Sequence, residues 1–181
     1  GFQPDDLGSI PSSRSKRKEK MYKNLINEIQ DWPKEGVSFK DISPLLKSQD
    51  FKTAIKTLGN KFCLHEVDYF VGIDSRGFIF ASALATLFSK GLVLIRKKGK
   101  LPPPVVSKSY SLEYGHDSLE INPGQGNVII IDDVLATGGT LSAAKELCKS
   151  AGYNVVDCGV LIDLKFLHDN DIKAKSVIEY E

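Results

Sequence analysis

Between Val128 and Thr140 the chain reads Val-Ile-Ile-Ile-Asp-Asp-Val-Leu-Ala-Thr-Gly-Gly-Thr, and much of the chemistry it could do is gathered there. Asp132 and Asp133 bring two adjacent carboxylates, and Thr137 and Thr140 bring hydroxyls into a loop of small residues. Gly138 and Gly139 let the backbone turn sharply and approach a ligand with no Cβ in the way. Hydroxyls beside free N–H groups at the start of a helix make a ready site for a phosphate. The carboxylates would repel that phosphate, so they suit other groups of the same ligand: sugar hydroxyls, or a metal ion held near them. The plain alternative is a strand–turn–helix whose acids cap the helix. No G-x-x-x-x-G-K-[ST] and no G-x-G-x-x-G string occurs, which sets P-loop and dinucleotide-binding sites aside.

Two further strings offer chemistry. Gly72-Ile73-Asp74-Ser75-Arg76-Gly77-Phe78 places polar and glycine residues between an apolar run and a helical pattern, where a second anion could sit. Arg96-Lys97-Lys98-Gly99-Lys100 carries four cations in five residues, charge that a polyphosphate would need and that a solvated loop would also show.

Regular structure has to hold these strings in place. Val128 to Ile131 are apolar and mostly β-branched, as in a strand covered on both faces. From Leu141 the apolar positions Leu141, Ala144, Leu147, Cys148 and Ala151 follow a helical period. Leu25, Ile26, Ile29 and Trp32 suggest a short amphipathic helix stopped by Pro33, and residues 36–46 a compact segment. Helices are expected over 51–62 and 78–89, and strands over 67–73, 92–95 and 155–162. Weaker alternating pieces lie near 105–110 and 118–121. Strands alternating with helices imply an α/β fold: a mainly parallel central sheet flanked by helices, with ligands at the carboxyl ends of the strands.

Composition narrows the class. A chain of 181 residues, 41% hydrophobic and 26% charged, suits one globular domain with a real core. A formal net charge of +1 gives no global argument for a nucleic-acid or membrane partner. No apolar run approaches the roughly 20 residues needed to cross a bilayer. Cys63, Cys148 and Cys158 form no C-x-x-C pair, which fits reduced thiols in the cytoplasm. His65, His116 and His168 show no metal-ligand spacing. Residues 1–20, with Arg14, Lys16, Arg17, Lys18 and Lys20 crowded together, are expected to be a flexible basic leader before a single domain over 21–181.

The run from Val128 to Thr140 closely resembles the phosphoribosyl-pyrophosphate (PRPP) signature of the type I phosphoribosyltransferases. The resemblance implies that Asp132 and Asp133 contact the ribose hydroxyls and that Ala136, Thr137, Gly138, Gly139 and Thr140 hold the 5′-phosphate. It implies a pyrophosphate turn at Asp74, Ser75 and Arg76, with a cis Asp74–Ser75 peptide. Arg96, Lys97 and Lys100 would help hold the pyrophosphate, in some members across a dimer interface.

Two strings narrow the resemblance to the adenine phosphoribosyltransferases, which convert adenine and PRPP to AMP and pyrophosphate. Ser109-Tyr110-Ser111-Leu112-Glu113-Tyr114-Gly115 is similar to their mobile flap, here about residues 98–122, and implies Glu113 as the acid/base near purine N7. Residues 32–46 resemble their N-terminal hood, here about 21–46, where Phe39 would stack on adenine and the backbone of Ser38 and Lys40 would read its edge. The resemblance further implies Mg²⁺ bound through PRPP and water without direct protein ligands, a homodimer, and no nucleic-acid or membrane partner. The chain departs from the pattern in a shortened stretch between Ile121 and Pro123 and in Pro103, where a glycine is common. Two alternatives remain: transfer to a 6-oxopurine, with Lys165 as base reader, or a PRPP-sensing regulator using the basic leader.

Overall fold

The structure is a computed structural model that describes residues 13–112, 115–169 and 171–181. The chain divides into two compact units, one ending at Phe51 and the other running from Lys52 to Glu181.

The first unit corrects two expectations. Residues 13–20, read as part of a flexible leader, belong to helix α1, Ser13–Lys23. Tyr22 is its buried residue, and Lys23 pairs with Glu19 at 2.9 Å. So polar a helix carries almost no hydrophobic period, which is why the sequence does not announce it. The helix expected around Leu25 to Trp32 is instead strand β1, Asn27–Gln30. It pairs antiparallel with β2, Ser38–Asp41, with Ile29 opposite Phe39. Four residues are too few for periodicity to tell strand from helix, and cross-strand pairing decides. A one-turn helix α2, Ser43–Lys47, opens on Pro44.

Helix α3, Asp50–Gly59, leads into the second unit. There follow β3 (Tyr69–Ile73), α4 (Gly77–Leu87), β4 (Gly91–Lys97), β5 (Val106–Leu112), β6 (Gly115–Ile121), β7 (Gly126–Leu135), α5 (Gly139–Ser150), β8 (Tyr153–Leu164), a 3₁₀ turn (Lys165–Leu167) and β9 (Lys175–Tyr180). The strands form one sheet in the order β5-β6-β4-β3-β7-β8-β9. From β4 to β9 all neighbours are parallel, and β6 runs antiparallel to both β4 and β5. The expected mainly parallel sheet is present. Strand β9 was not foreseen, because its apolar content is confined to Val177 and Ile178 between polar neighbours.

Strand β7 is unbroken in its apolar run because helices cover both of its faces. Val128 and Ile130 join Leu141, Ala144, Leu147 and Cys148 of α5 in one cluster. Ile131 faces the other way, toward Leu58 and Phe62 around Gly159. Val128 to Ile131 are each at most 1% exposed, and burial of each side chain stabilises by about 1.5–3 kcal/mol. Helix α4 sits close on β3 because Gly72 has no side chain; a Cβ there would lie 2.9 Å from that of Ala81. No helix among the described residues is long and apolar enough to cross a membrane.

Candidate active site

Strand β7 does not stop at the acids: it continues through Asp132 and Asp133 to Leu135. The loop is therefore short, and α5 opens at Gly139 behind Gly138, whose φ of 89° is the left-handed conformation glycine tolerates. No side chain caps this helix, so its first N–H groups and its positive dipole end face an open position. A cavity of about 80 Å³ lies there, lined by Asp132, Ala136, Thr137, Gly138 and Thr140 among others. Gly139 stands at the start of the helix beside it. A Cβ on Gly138 would collide with the side chain of Ile172.

Successive residues of a strand point to opposite faces, which separates the two acids. Asp132 lines the cavity, whereas Asp133 is 5% exposed and lies beside Arg76, with Nε 2.8 Å from its Oδ2. That contact is an ion pair at close range without hydrogen-bond geometry, and Oδ2 has no hydrogen bond within the described residues. The Asp133 N–H donates to Asp132 Oδ1 at 2.8 Å. Burial, and then the neighbouring Asp133 carboxylate, push the Asp132 carboxyl well above its ordinary range. Gly77 permits this crowding: a Cβ there would lie 2.8 Å from the Ile131 carbonyl oxygen and 3.1 Å from Asp132 Oδ1.

The expected second anion site lies next to the first, because β3 and β7 are neighbours. The Asp74–Ser75 peptide is cis. The Asp74 carboxylate turns toward β4, where Arg96 Nε and the Lys97 N–H each stand 3.4 Å from Oδ2. Ser75 and Arg76 are exposed, and Arg76 keeps its contact with Asp133. Arg96 also donates to the Lys100 carbonyl at 3.2 Å and lies 5.9 Å from the Phe78 ring centre, within cation–π range. Lys97 pairs with Asp117 at 3.2 Å. The loop between these cations is tied down by Glu120, 5% exposed, which accepts from the Gly99 N–H at 3.0 Å and from Ser107 at 3.3 Å. Sequence reasoning missed Glu120, since nothing marks an acid in a weakly alternating strand.

Within the expected flap, Val106–Leu112 and Gly115–Ile121 are antiparallel strands paired from Val106↔Ile121 to Leu112↔Gly115. Val106 and Tyr110 pack against the core cluster, and Lys108 pairs with Glu146 of α5. The shortened stretch closes through Asn122, whose side-chain amide donates to the carbonyls of Pro102 and Pro104, each at 2.8 Å. Glu113 lies outside the described residues.

In the first unit, Ser38 and Lys40 share one face of β2 and meet the same Glu28 carboxylate, at 2.5 Å and 3.0 Å. The Ser38 hydroxyl and then Lys40 hold the Glu28 carboxyl below its ordinary range. Phe39 points to the other face and meets the Trp32 ring edge-on at 4.5 Å. Glu28 carried no sequence signal, because it reaches its partners only by strand pairing. Lys165 is held by Glu179 at 2.6 Å. A larger cavity of about 600 Å³, among Lys145, Lys149, Asp157 and Lys173, takes in none of the expected site residues.

Known proteins are similar to this chain in sequence and fold. Residues 41–179 match the model of the phosphoribosyl transferase domain. An adenine phosphoribosyltransferase of Bdellovibrio bacteriovorus is 49% identical over 162 residues, covering 87% of this chain and 98% of that protein. The rat enzyme of the same name is 47% identical over 169 residues, covering 86% of this chain and 93% of that protein. The crystal structure of adenine phosphoribosyltransferase from Rhodothermus marinus superposes with a TM-score of 0.82 at 38% identity, covering 91% of this chain and 99% of that one. That of Saccharomyces cerevisiae, complexed with an imino-altritol bisphosphate and adenine, gives 0.79 at 34% identity, covering 89% and 97%.

Proposed function

The chain belongs to the phosphoribosyltransferase family, and from that premise we propose that it transfers the phosphoribosyl group of PRPP to adenine, forming AMP and pyrophosphate in purine salvage. The observation that carries this reading is the loop from Ala136 to Thr140 at the uncapped start of α5, with a carboxylate on its rim. The 5′-phosphate would sit on the first N–H groups of α5 and the hydroxyls of Thr137 and Thr140.

Displacement at C1′ builds positive charge on the ribose and negative charge on the leaving pyrophosphate. Asp132 and Asp133 would hold the ribose hydroxyls and favour the positive charge. The turn of Asp74, Ser75 and Arg76, with Arg96, Lys97 and Lys100, would take up the negative charge. Phe39 would stack on adenine while the backbone of Ser38 and Lys40 reads its edge. Glu113 would handle the purine proton, and the hairpin would keep water from PRPP.

Asp132 and Asp133 offer hard oxygen atoms toward the water shell of a bound cation, with Asp133 already paired to Arg76. These suit Mg²⁺ held mainly by PRPP oxygens and water, where it would neutralise pyrophosphate charge. A homodimer belongs to the same proposal: Ile79 and Leu87 of α4 and Leu92 of β4 are 37%, 38% and 41% exposed, apolar surface that a second copy would cover. So does the cytoplasm, in keeping with three free thiols. The deciding assay supplies PRPP with adenine, hypoxanthine, guanine, xanthine or orotate and follows pyrophosphate release. Adenine is expected to be preferred; comparable turnover of hypoxanthine or guanine would overturn the choice of base.

A further inference from the structure

The end of β8 and the connection that follows it bring together a buried acid–base pair that the proposed chemistry leaves unused. His168 Nε2 lies 2.6 Å from Asp163 Oδ1, and the two side chains are 5% and 8% exposed. The other ring nitrogen, Nδ1, lies 3.0 Å from the Asp169 carbonyl oxygen. With an acceptor at each nitrogen, the ring fits best as the imidazolium, which donates in both directions. Burial alone would lower its pKa, but the hydrogen bonds to Asp163 and to the Asp169 carbonyl outweigh burial and raise it.

This pair stands beside the phosphate loop. Asp163 is opposite Leu135 in the β7–β8 register, at the point where β7 ends and the loop begins. The Asp169 carbonyl that meets His168 also accepts from the Ile172 N–H at 3.2 Å. The Ile172 side chain in turn fills the space where Gly138 lacks a Cβ. A continuous chain of contacts therefore runs from Asp163 through His168 and the Asp169 carbonyl to Ile172 and Gly138.

We propose that His168 is a positioning residue for the 5′-phosphate loop: pinned between Asp163 and the Asp169 carbonyl, it holds Ile172 against Gly138 and fixes the left-handed turn that presents the α5 N–H groups. The inference rests on the phosphoribosyl reading above. It makes an otherwise unremarkable connection part of the phosphate grip, without touching the ligand.

Calorimetric titration of the full chain with ribose 5-phosphate and, separately, with pyrophosphate tests it, using wild type, His168→Ala, His168→Gln, Ile172→Ala and the double His168→Ala/Ile172→Ala. Both single alanine variants are expected to bind ribose 5-phosphate roughly threefold to thirtyfold more weakly, and the double no more weakly than the worse single by over about twofold. Gln, which can still donate to Asp163, should recover part of the loss. Pyrophosphate affinity should hold in every variant. Unchanged ribose 5-phosphate binding in both single variants, fully additive losses, or an equal loss of pyrophosphate binding would each overturn the proposal. Wild-type protein that binds neither ribose 5-phosphate nor PRPP would overturn the phosphoribosyl reading itself, and this inference with it.

Discussion

Arg76 Nε lies 2.8 Å from Asp133 Oδ2, so the turn that follows β3 is tied directly to the second acid of β7. The guanidinium side chain is 43% exposed while the carboxylate is 7% exposed, and the pair spans the border between water and the sheet. Asp132, one residue earlier, lines the phosphate cavity instead. Adjacent in sequence, the two acids sit in different surroundings.

Asp132→Asn and Asp133→Asn should each lower kcat/KM for PRPP by about 10- to 100-fold, the worth of a hydrogen bond to a charged group. Stability should fall by no more than about 1 kcal/mol in the second variant, because water can replace the partner of a half-exposed arginine. Pyrophosphate-release kinetics with thermal denaturation of both variants check this. Near-normal activity in both would make the pair structural.

Gly77→Ala should cost both stability and activity. The new Cβ would press on the Ile131 carbonyl and the Asp132 Cα, backbone of a central strand that cannot yield, so the start of α4 must retreat. Overpacking of this kind costs about 1–3 kcal/mol. A variant with unchanged Tm and turnover would show that α4 has room to shift.

Much of this site was legible in the sequence because its chemistry stands in contiguous strings. Asp132 to Thr140, Asp74 to Gly77 and Arg96 to Lys100 each close a strand, and the parallel order of β4, β3 and β7 brings the three ends together. What stayed hidden depends on partners far apart in the chain. Glu28 finds Lys40 only once β1 and β2 pair, and Glu120 finds Gly99 across the β4–β6 junction. Helix α1 was invisible for another reason: a segment reading Ser-Arg-Ser-Lys-Arg-Lys-Glu-Lys buries just Tyr22 after it, so no hydrophobic period exists to detect.

Glu113→Gln should reduce kcat with adenine by about 10²–10⁴-fold, the usual contribution of a general acid or base. PRPP affinity, measured by direct titration, should stay close to wild type. The amide keeps the size of the side chain and removes its transferable proton. An unchanged kcat would assign the purine proton to another group.

Phe39→Ala should raise KM for adenine by about 5- to 100-fold, as expected for loss of one base–aromatic stack, and leave KM for PRPP unchanged. Trp32 leans edge-on against Phe39, so Trp32→Ala should produce a smaller effect of the same kind. Steady-state kinetics with each substrate varied in turn separate the two constants. A matching rise in KM for PRPP would argue against a role confined to the base.

The His168 pKa is raised in the folded chain, so the native state holds a proton that the unfolded state releases. Stabilisation by the pair is then complete below about pH 6.5, the ordinary histidine value, and is lost as pH rises through the higher folded value. Urea unfolding at about pH 6 and about pH 9 should show wild type losing more stability than His168→Gln over that interval. Equal losses would mean that the pair carries no proton-linked stability.

The strand order has a metric consequence. Strands β4, β3 and β7 are consecutive in the sheet, so neighbouring strands stand about 4.8 Å apart, and β7 runs on past its last pairing with β3, Gly72↔Ile131, to Leu135. Backbone hydrogen bonds set that pitch, and no side-chain change alters it. The sheet thus sets the sideways spacing of the three strands, while the extra length of β7 sets how far the α5 loop stands beyond the turn that follows β3.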